Sequence, residues 1–136
     1  MHTGSMVSYS TNEPIGLAGG VESPLFQQVA RAIENDIVDG ILAEGAQAPS
    51  TNEIAAFHRI NPATALKGVN ELVARDVLHK RRGIGMFVSP GARAALLERR
   101  RTEFAARYLA PALAEADRLG LPTEDVITLI KEARHG

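Results

Sequence analysis

Two helix-start signals stand close together in this chain. Ser50-Thr51-Asn52-Glu53 has the spacing of a capping box, in which the serine oxygen and the glutamate carboxylate each satisfy a backbone donor at a helix start. Asn61-Pro62 is the second signal, a capping amide followed by proline where its missing N–H costs nothing. Between them there is room only for a short helix containing Ile54, Ala55 and Phe57, then a tight turn. The second helix runs from 62 to about 75. Ala65, Leu66, Val69, Leu72 and Val73 gather on one side of it, and Ala63, Thr64, Lys67 and Glu71 on the other. Small residues on that second side leave it free to lie against another surface.

The flanking segments extend the pattern. Ser23-Pro24 opens a first helix with Leu25, Val29, Ile33 and Ile37 on one face, Phe26 and Ala30 beside them, and Gly40 at its end. After the helical pair, Val77 and Leu78 begin one short strand and Met86, Phe87 and Val88 form a second, connected by Arg81-Arg82-Gly83-Ile84-Gly85. Helix, helix-turn-helix and cation-tipped ribbon, over residues 23–89, is the layout of a winged helix. Residues 1–22 are rich in Gly, Ser and Thr without a sustained period and read as a flexible arm.

From Pro90-Gly91 onward the composition shifts to Ala, Leu and Arg, and a helical pattern runs from about 92 to 119. Pro111 should kink it over residues 107–111. Gly120 closes it, and Thr123 caps a last helix with Glu124 and Asp125 in its first turn. Phe104, Tyr108, Ala112 and Ala116 lie near one stripe, widened by Leu109, Leu113 and Leu119, while Val126, Ile127 and Ile130 give the last helix an apolar face. Two amphipathic helices without a core of their own need a partner, and the nearest one is the same pair on a second copy. The expected fold is therefore mainly α with a small β-hairpin: a winged helix-turn-helix domain followed, over 90–136, by a short two-helix dimerisation tail.

Composition narrows the function. With 136 residues, 45% apolar content and a net charge of −1, the chain can form one ordinary core. Aromatics are only 4%, with no Trp, so stacking platforms for single-stranded nucleic acid have few candidates. The absence of Cys removes disulfides and thiolate metal sites. No apolar run approaches the roughly 20 residues that cross a bilayer, and no basic-then-apolar leader opens the chain, so no membrane partner and a cytoplasmic location are expected. Charge is uneven. Residues 1–57 hold Arg31 alone against Glu13, Glu22, Glu34, Asp36, Asp39, Glu44 and Glu53, whereas in 58–89 Arg59, Lys67, Arg75, Lys80, Arg81 and Arg82 face only Glu71 and Asp76. A compact basic stretch in an acidic chain points to a localised anionic partner.

Double-stranded DNA fits that description. Lys80, Arg81 and Arg82 at a protruding tip can reach a phosphate backbone or the minor groove, with Gly83 allowing close approach. Residues 62–71 would enter a major groove, Ser50, Thr51 and Asn52 would meet a phosphate at a helix N-terminus, and Arg59 would add a contact from the turn. Each piece has a duller reading as a solvated turn or a packed helical pair; the order of the pieces favours DNA. Gly83-Ile84-Gly85 lacks the longer patterns of nucleotide-binding loops and does not open a helix. His2, His58, His79 and His135 are not at metal-ligand spacing, Ser50 and Ser89 have no base in register, and Arg99-Arg100-Arg101 reads as a solvated face. No enzyme, metal site or cofactor is expected. A rival of another class is a protein-interaction module that uses the winged helix and tail for assembly without DNA.

Residues 24–88 resemble the DNA-binding domain of GntR-type bacterial transcriptional regulators. The resemblance lies in the opening Pro-Leu-aromatic, the turn with Gly40, Leu42 and Gly45, the Pro49-Ser50 cap and the wing G-x-G-x-F-V. The tail resembles the YtrA-like subgroup, which carries a small dimerisation element instead of a large ligand-binding domain. The resemblance implies DNA contacts at Ser50, Thr51 and Asn52; at Asn61, Ala63, Thr64 and Lys67; and at Arg81, Arg82 and Gly83. It implies a homodimeric repressor of its own operon and a transporter operon, reading a near-palindrome. Family members commonly carry arginine where Asn52 stands, and another where Asn61 or Pro62 stands, so their operator sequence cannot be borrowed. A small-molecule effector is left open, in a pocket between tail and winged helix or across a dimer.

Overall fold

The computed structural model describes residues 24–136; the arm over 1–22 and the Ser23 cap lie outside the described residues. Three helices, α1 (Leu25–Val38), α2 (Thr51–His58) and α3 (Pro62–Ala74), precede the strands β1 (Leu78–Arg81) and β2 (Gly85–Val88). Then come α4 (Ala92–Phe104), a π-helical turn over Ala105–Leu109, α5 (Ala110–Leu119) and α6 (Thr123–His135). This is the mainly helical fold with a two-stranded antiparallel hairpin that the sequence implies. The described residues fall into two compact units, one ending at Leu97 and the other spanning Glu98–Gly136.

In the first unit the apolar periods meet in one core. Val29, Ile33 and Ile37 of α1, Ile54 of α2, Ala65, Val69 and Leu72 of α3, and Leu78 and Val88 of the hairpin are all buried, with Leu42, Ala92 and Leu96 joining them. The α1–α3 contact is close because of Gly68, which the sequence reading did not single out. A Cβ there would lie 2.7 Å from the Phe26 carbonyl oxygen and 2.8 Å from Val29 Cγ1. The same pair of helices is tied by charge: buried Glu34 of α1 accepts a 2.8 Å hydrogen bond from Arg75, which also lies 3.6 Å from Glu71. Arg75, although exposed, is therefore committed to the scaffold through its acidic partners.

Several expectations shift. Leu25 and Leu66 were assigned to core faces, yet both are exposed. Leu25 is the first residue of α1, and Leu66 sits about 100° round α3 from Ala65, past the edge of the buried stripe. Pro24 takes the N-cap position of α1 itself, one residue ahead of its expected place inside the helix. The strands run Leu78–Arg81 and Gly85–Val88, in the register Leu78 with Val88 and Arg81 with Gly85, so the connection shortens to three residues. Most consequential is a third edge. Gln47 forms a bridge to Phe87, and Gly45 N–H, Ala48 N–H and Ala46 C=O bond to Val88, Met86 and Val88 at 2.8–2.9 Å. The wing thus grows from a hairpin whose β2 strand is paired on both sides.

In the second unit a π-helical turn replaces a simple proline kink. The Ala110 N–H reaches back to Ala105 C=O, the longer repeat of a π turn, directly ahead of Pro111, which has no N–H to give. Gly120 ends α5 in the left-handed region at φ 73°. Thr123 does not cap α6: Pro122 holds the N-cap position, and its carbonyl receives Asp125 N–H at 3.0 Å and Val126 N–H at 3.2 Å. Among the described residues no helix is long and apolar enough to cross a membrane.

Candidate nucleic-acid interface

At the start of α2 the capping box is complete. Ser50 Oγ accepts from Glu53 N–H at 3.0 Å, and Glu53 Oε1 accepts from Ser50 N–H at 2.8 Å. The serine oxygen and the carboxylate are thus both occupied, which leaves the amides of Thr51 and Asn52 as the donors for an incoming phosphate. The turn follows at Arg59, which is exposed and held in the left-handed region at φ 58° and ψ 51°. A non-glycine residue there costs about 1 kcal/mol relative to the ordinary helical region. Keeping arginine where glycine is cheaper is consistent with a use for its side chain.

Asn61 caps α3 through its side-chain oxygen, which accepts from Ala63 N–H at 2.7 Å, with Pro62 in the first turn. The exposed start of the helix is Asn61, Pro62 and Ala63, with Thr64 half-buried behind them. No bulky side chain obstructs this end. Lys67 is exposed but leans toward α1, its Nζ 4.2 Å from the centroid of the Phe26 ring.

In the wing, Gly83 at φ 77° makes the three-residue turn, and Ile84 N–H closes it onto Arg81 C=O at 2.9 Å. Arg81 stacks on the wing's own aromatic face, with Cζ 4.3 Å from the Phe87 centroid, while His79 stacks on the same ring at 6.1 Å. Arg81 is consequently oriented before any ligand arrives, and Lys80, Arg82 and Gly83 are exposed around it. All twelve candidate positions, Ser50, Thr51, Asn52, Arg59, Asn61, Ala63, Thr64, Lys67, Lys80, Arg81, Arg82 and Gly83, lie in one compact unit, and none is lost to its core.

His58 is the one histidine of the helical pair that packs inside. It is 4% exposed, set edge-on against Phe57 at 4.8 Å, and burial pushes its pKa below the ordinary value. Three further residues shape the site without having been foreseen: Gln47, Gly68 and Ile84. Gln47 gives no signal in the sequence because its partners lie 37 and 40 residues downstream, at Ile84 and Phe87.

The tail residues assigned to self-association are mostly open. Phe104, Tyr108, Leu109, Leu113, Ile127 and Ile130 are exposed, as is Ala112, and Val126 is half-buried. Ala116 is the exception, being buried within one chain, so it offers little to a partner.

Comparison with known proteins agrees with the geometry. Residues 25–88 match the family of bacterial regulatory proteins, gntR family. The chain is similar to the HTH-type transcriptional repressor YtrA of Bacillus subtilis (strain 168), 27% identical over 110 residues that cover 81% of this chain and 84% of the relative. A crystal structure of a transcriptional regulator from Oenococcus oeni superposes with a TM-score of 0.68 at 26% identity, covering 88% of this chain and 98% of the other. The DNA-binding domain of AraR in complex with operator ORX1 superposes at 0.50 and 26% identity, over 57% of this chain and 99% of that one. Residues 25–88 are therefore a winged helix-turn-helix domain of the gntR family, and over most of its length the chain is similar to transcriptional regulators that carry this domain.

Proposed function

We propose that this regulator is a homodimeric repressor that acts in the cytoplasm on its own operon and a transporter operon, with paired winged helices reading the half-sites of a near-palindrome. The observation that carries the reading is the exposure, on one compact unit, of the α2 amides, the unobstructed start of α3 and the cations of the wing. Phosphate contacts from Arg59, Lys80, Arg81 and Arg82 would fix register, and the first turn of α3 would read base edges. Similarity to a protein named as a repressor supports the sign of regulation, and to a domain bound to its operator the ligand. The open faces at Phe104, Tyr108, Leu109 and Leu113 and at Ile127 and Ile130 support a second copy as the tail's partner.

Gel-shift of genomic fragments over a salt series tests this directly. Wild type should retard a subset of fragments with an affinity that falls steeply as salt rises, and Arg81→Ala with Arg82→Ala should weaken binding to every duplex and flatten the slope by about two. No retarded band at moderate salt would transfer the winged helix to the protein-interaction reading.

A further inference from the structure

The tip of the wing is apolar as well as cationic. Ile84 stands there 61% exposed, with glycine on either side. Its backbone is fixed from two directions: its N–H donates to Arg81 C=O at 2.9 Å, and its carbonyl accepts from Gln47 Nε2 at 2.9 Å. Gln47 belongs to the edge segment that pairs with β2, so the clamp is anchored in the sheet. It also demands glycine at position 85, where φ is 143° and a Cβ would lie 2.5 Å from Gln47 Nε2. A lone exposed aliphatic is ordinary on a protein surface. This one is β-branched, hence stiff, held rigidly at a protruding tip, and flanked by two residues without side chains. The result is a blade one side chain thick, narrow enough for a minor groove about 6 Å wide.

We propose that Ile84 is a specificity-determining residue that enters the minor groove beside each half-site and disfavours G·C pairs there, with Gln47 as the positioning residue that sets its depth. The inference rests on the DNA-binding reading above. The floor of the groove over A·T presents only the adenine N3 and thymine O2 acceptors, whereas G·C adds the guanine 2-amino donor. An isoleucine pressed onto that floor fills the space above A·T. Over G·C it meets the amino group and strips its water without offering an acceptor. Lys80 and Arg82 around it touch phosphates and carry no such preference.

The test uses the full chain and a duplex recovered from a random-sequence pool, in which each pair flanking the major-groove half-site is set in turn to A·T, G·C or inosine·C. Inosine·C keeps the major-groove face of G·C and lacks its minor-groove amino group. Under the wing, wild type should bind A·T and inosine·C duplexes alike and G·C about ten-fold more weakly. Ile84→Ser should shrink that ratio to within about two-fold while leaving the salt slope unchanged. Gln47→Met, which keeps the stem and removes the donor, should lower the ratio with no change in melting temperature. Arg82→Ala should weaken all three duplexes and preserve the ratio. An unchanged ratio in Ile84→Ser, or a G·C penalty that persists with inosine, would overturn the inference and leave the DNA reading standing. Failure of wild type to bind any duplex would overturn both.

Discussion

Gly68 sits where the α1 backbone passes α3, and a single added methyl has nowhere to go because its nearest neighbour is the Phe26 carbonyl oxygen. Gly68→Ala should therefore destabilise the winged-helix unit by about 2 kcal/mol, although alanine is the better helix former. Chemical denaturation reads the difference, and a stabilised Gly68→Ala would show that the helices separate easily. His58 makes a second prediction. Its folded pKa lies below the unfolded value because burial disfavours the charged ring. As pH falls below about 6.5 the unfolded chain takes up that proton first, so stability is full at neutral pH and declines through the folded pKa. Thermal melting between pH 7.5 and 5.5 should show the decline, and His58→Gln should reduce it. At this scale the sequence was half-legible. Ser50, Asn61 and the wing cations announced themselves through local chemistry, whereas Gly68, Gln47 and the Arg75–Glu34 pair depend on contacts 37 to 42 residues away, which no local pattern encodes.

Among the elements, caps and glycines were the most readable features because each acts within a few residues. Ser50→Ala removes an acceptor from the α2 N-terminus and should cost about 1 kcal/mol, while also loosening the amides of Thr51 and Asn52 offered to phosphate. Loss of stability with unchanged DNA affinity would separate the cap from the interface. Elements were misread where the deciding factor lay beyond the local window. The hairpin looked like a free two-stranded ribbon, but residues 45–48 pair along its other edge, and that pairing gives Ile84 and Arg81 fixed positions. Leu66 fitted a helical apolar count yet lies outside the arc that α1 and α2 cover, since periodicity shows that a face exists but not how wide its partner is. Pro111 was correctly seen as incompatible with a plain α-turn; that the chain answers with a π turn over Ala105–Leu109 is a choice between two ways of removing one hydrogen bond.

For the whole molecule, the proposal depends on two copies acting together. Large apolar side chains of the tail, among them Tyr108, Leu109, Leu113 and Ile130, remain exposed in one chain, which is costly unless a second chain covers them. Leu109→Asp with Leu113→Asp should yield a monomer by sedimentation velocity and lower operator affinity by at least about ten-fold, because each winged helix then binds a half-site alone. A monomer that kept full affinity would remove the tail from the account. The most direct measurement is selection of genomic fragments by the full chain, followed by sequencing of those retained. The account predicts inverted half-sites with centres about 10 base pairs apart, or a multiple of that, occupied by two chains. Retention of no fragment above input, or of a solitary half-site bound by a single chain, would contradict it.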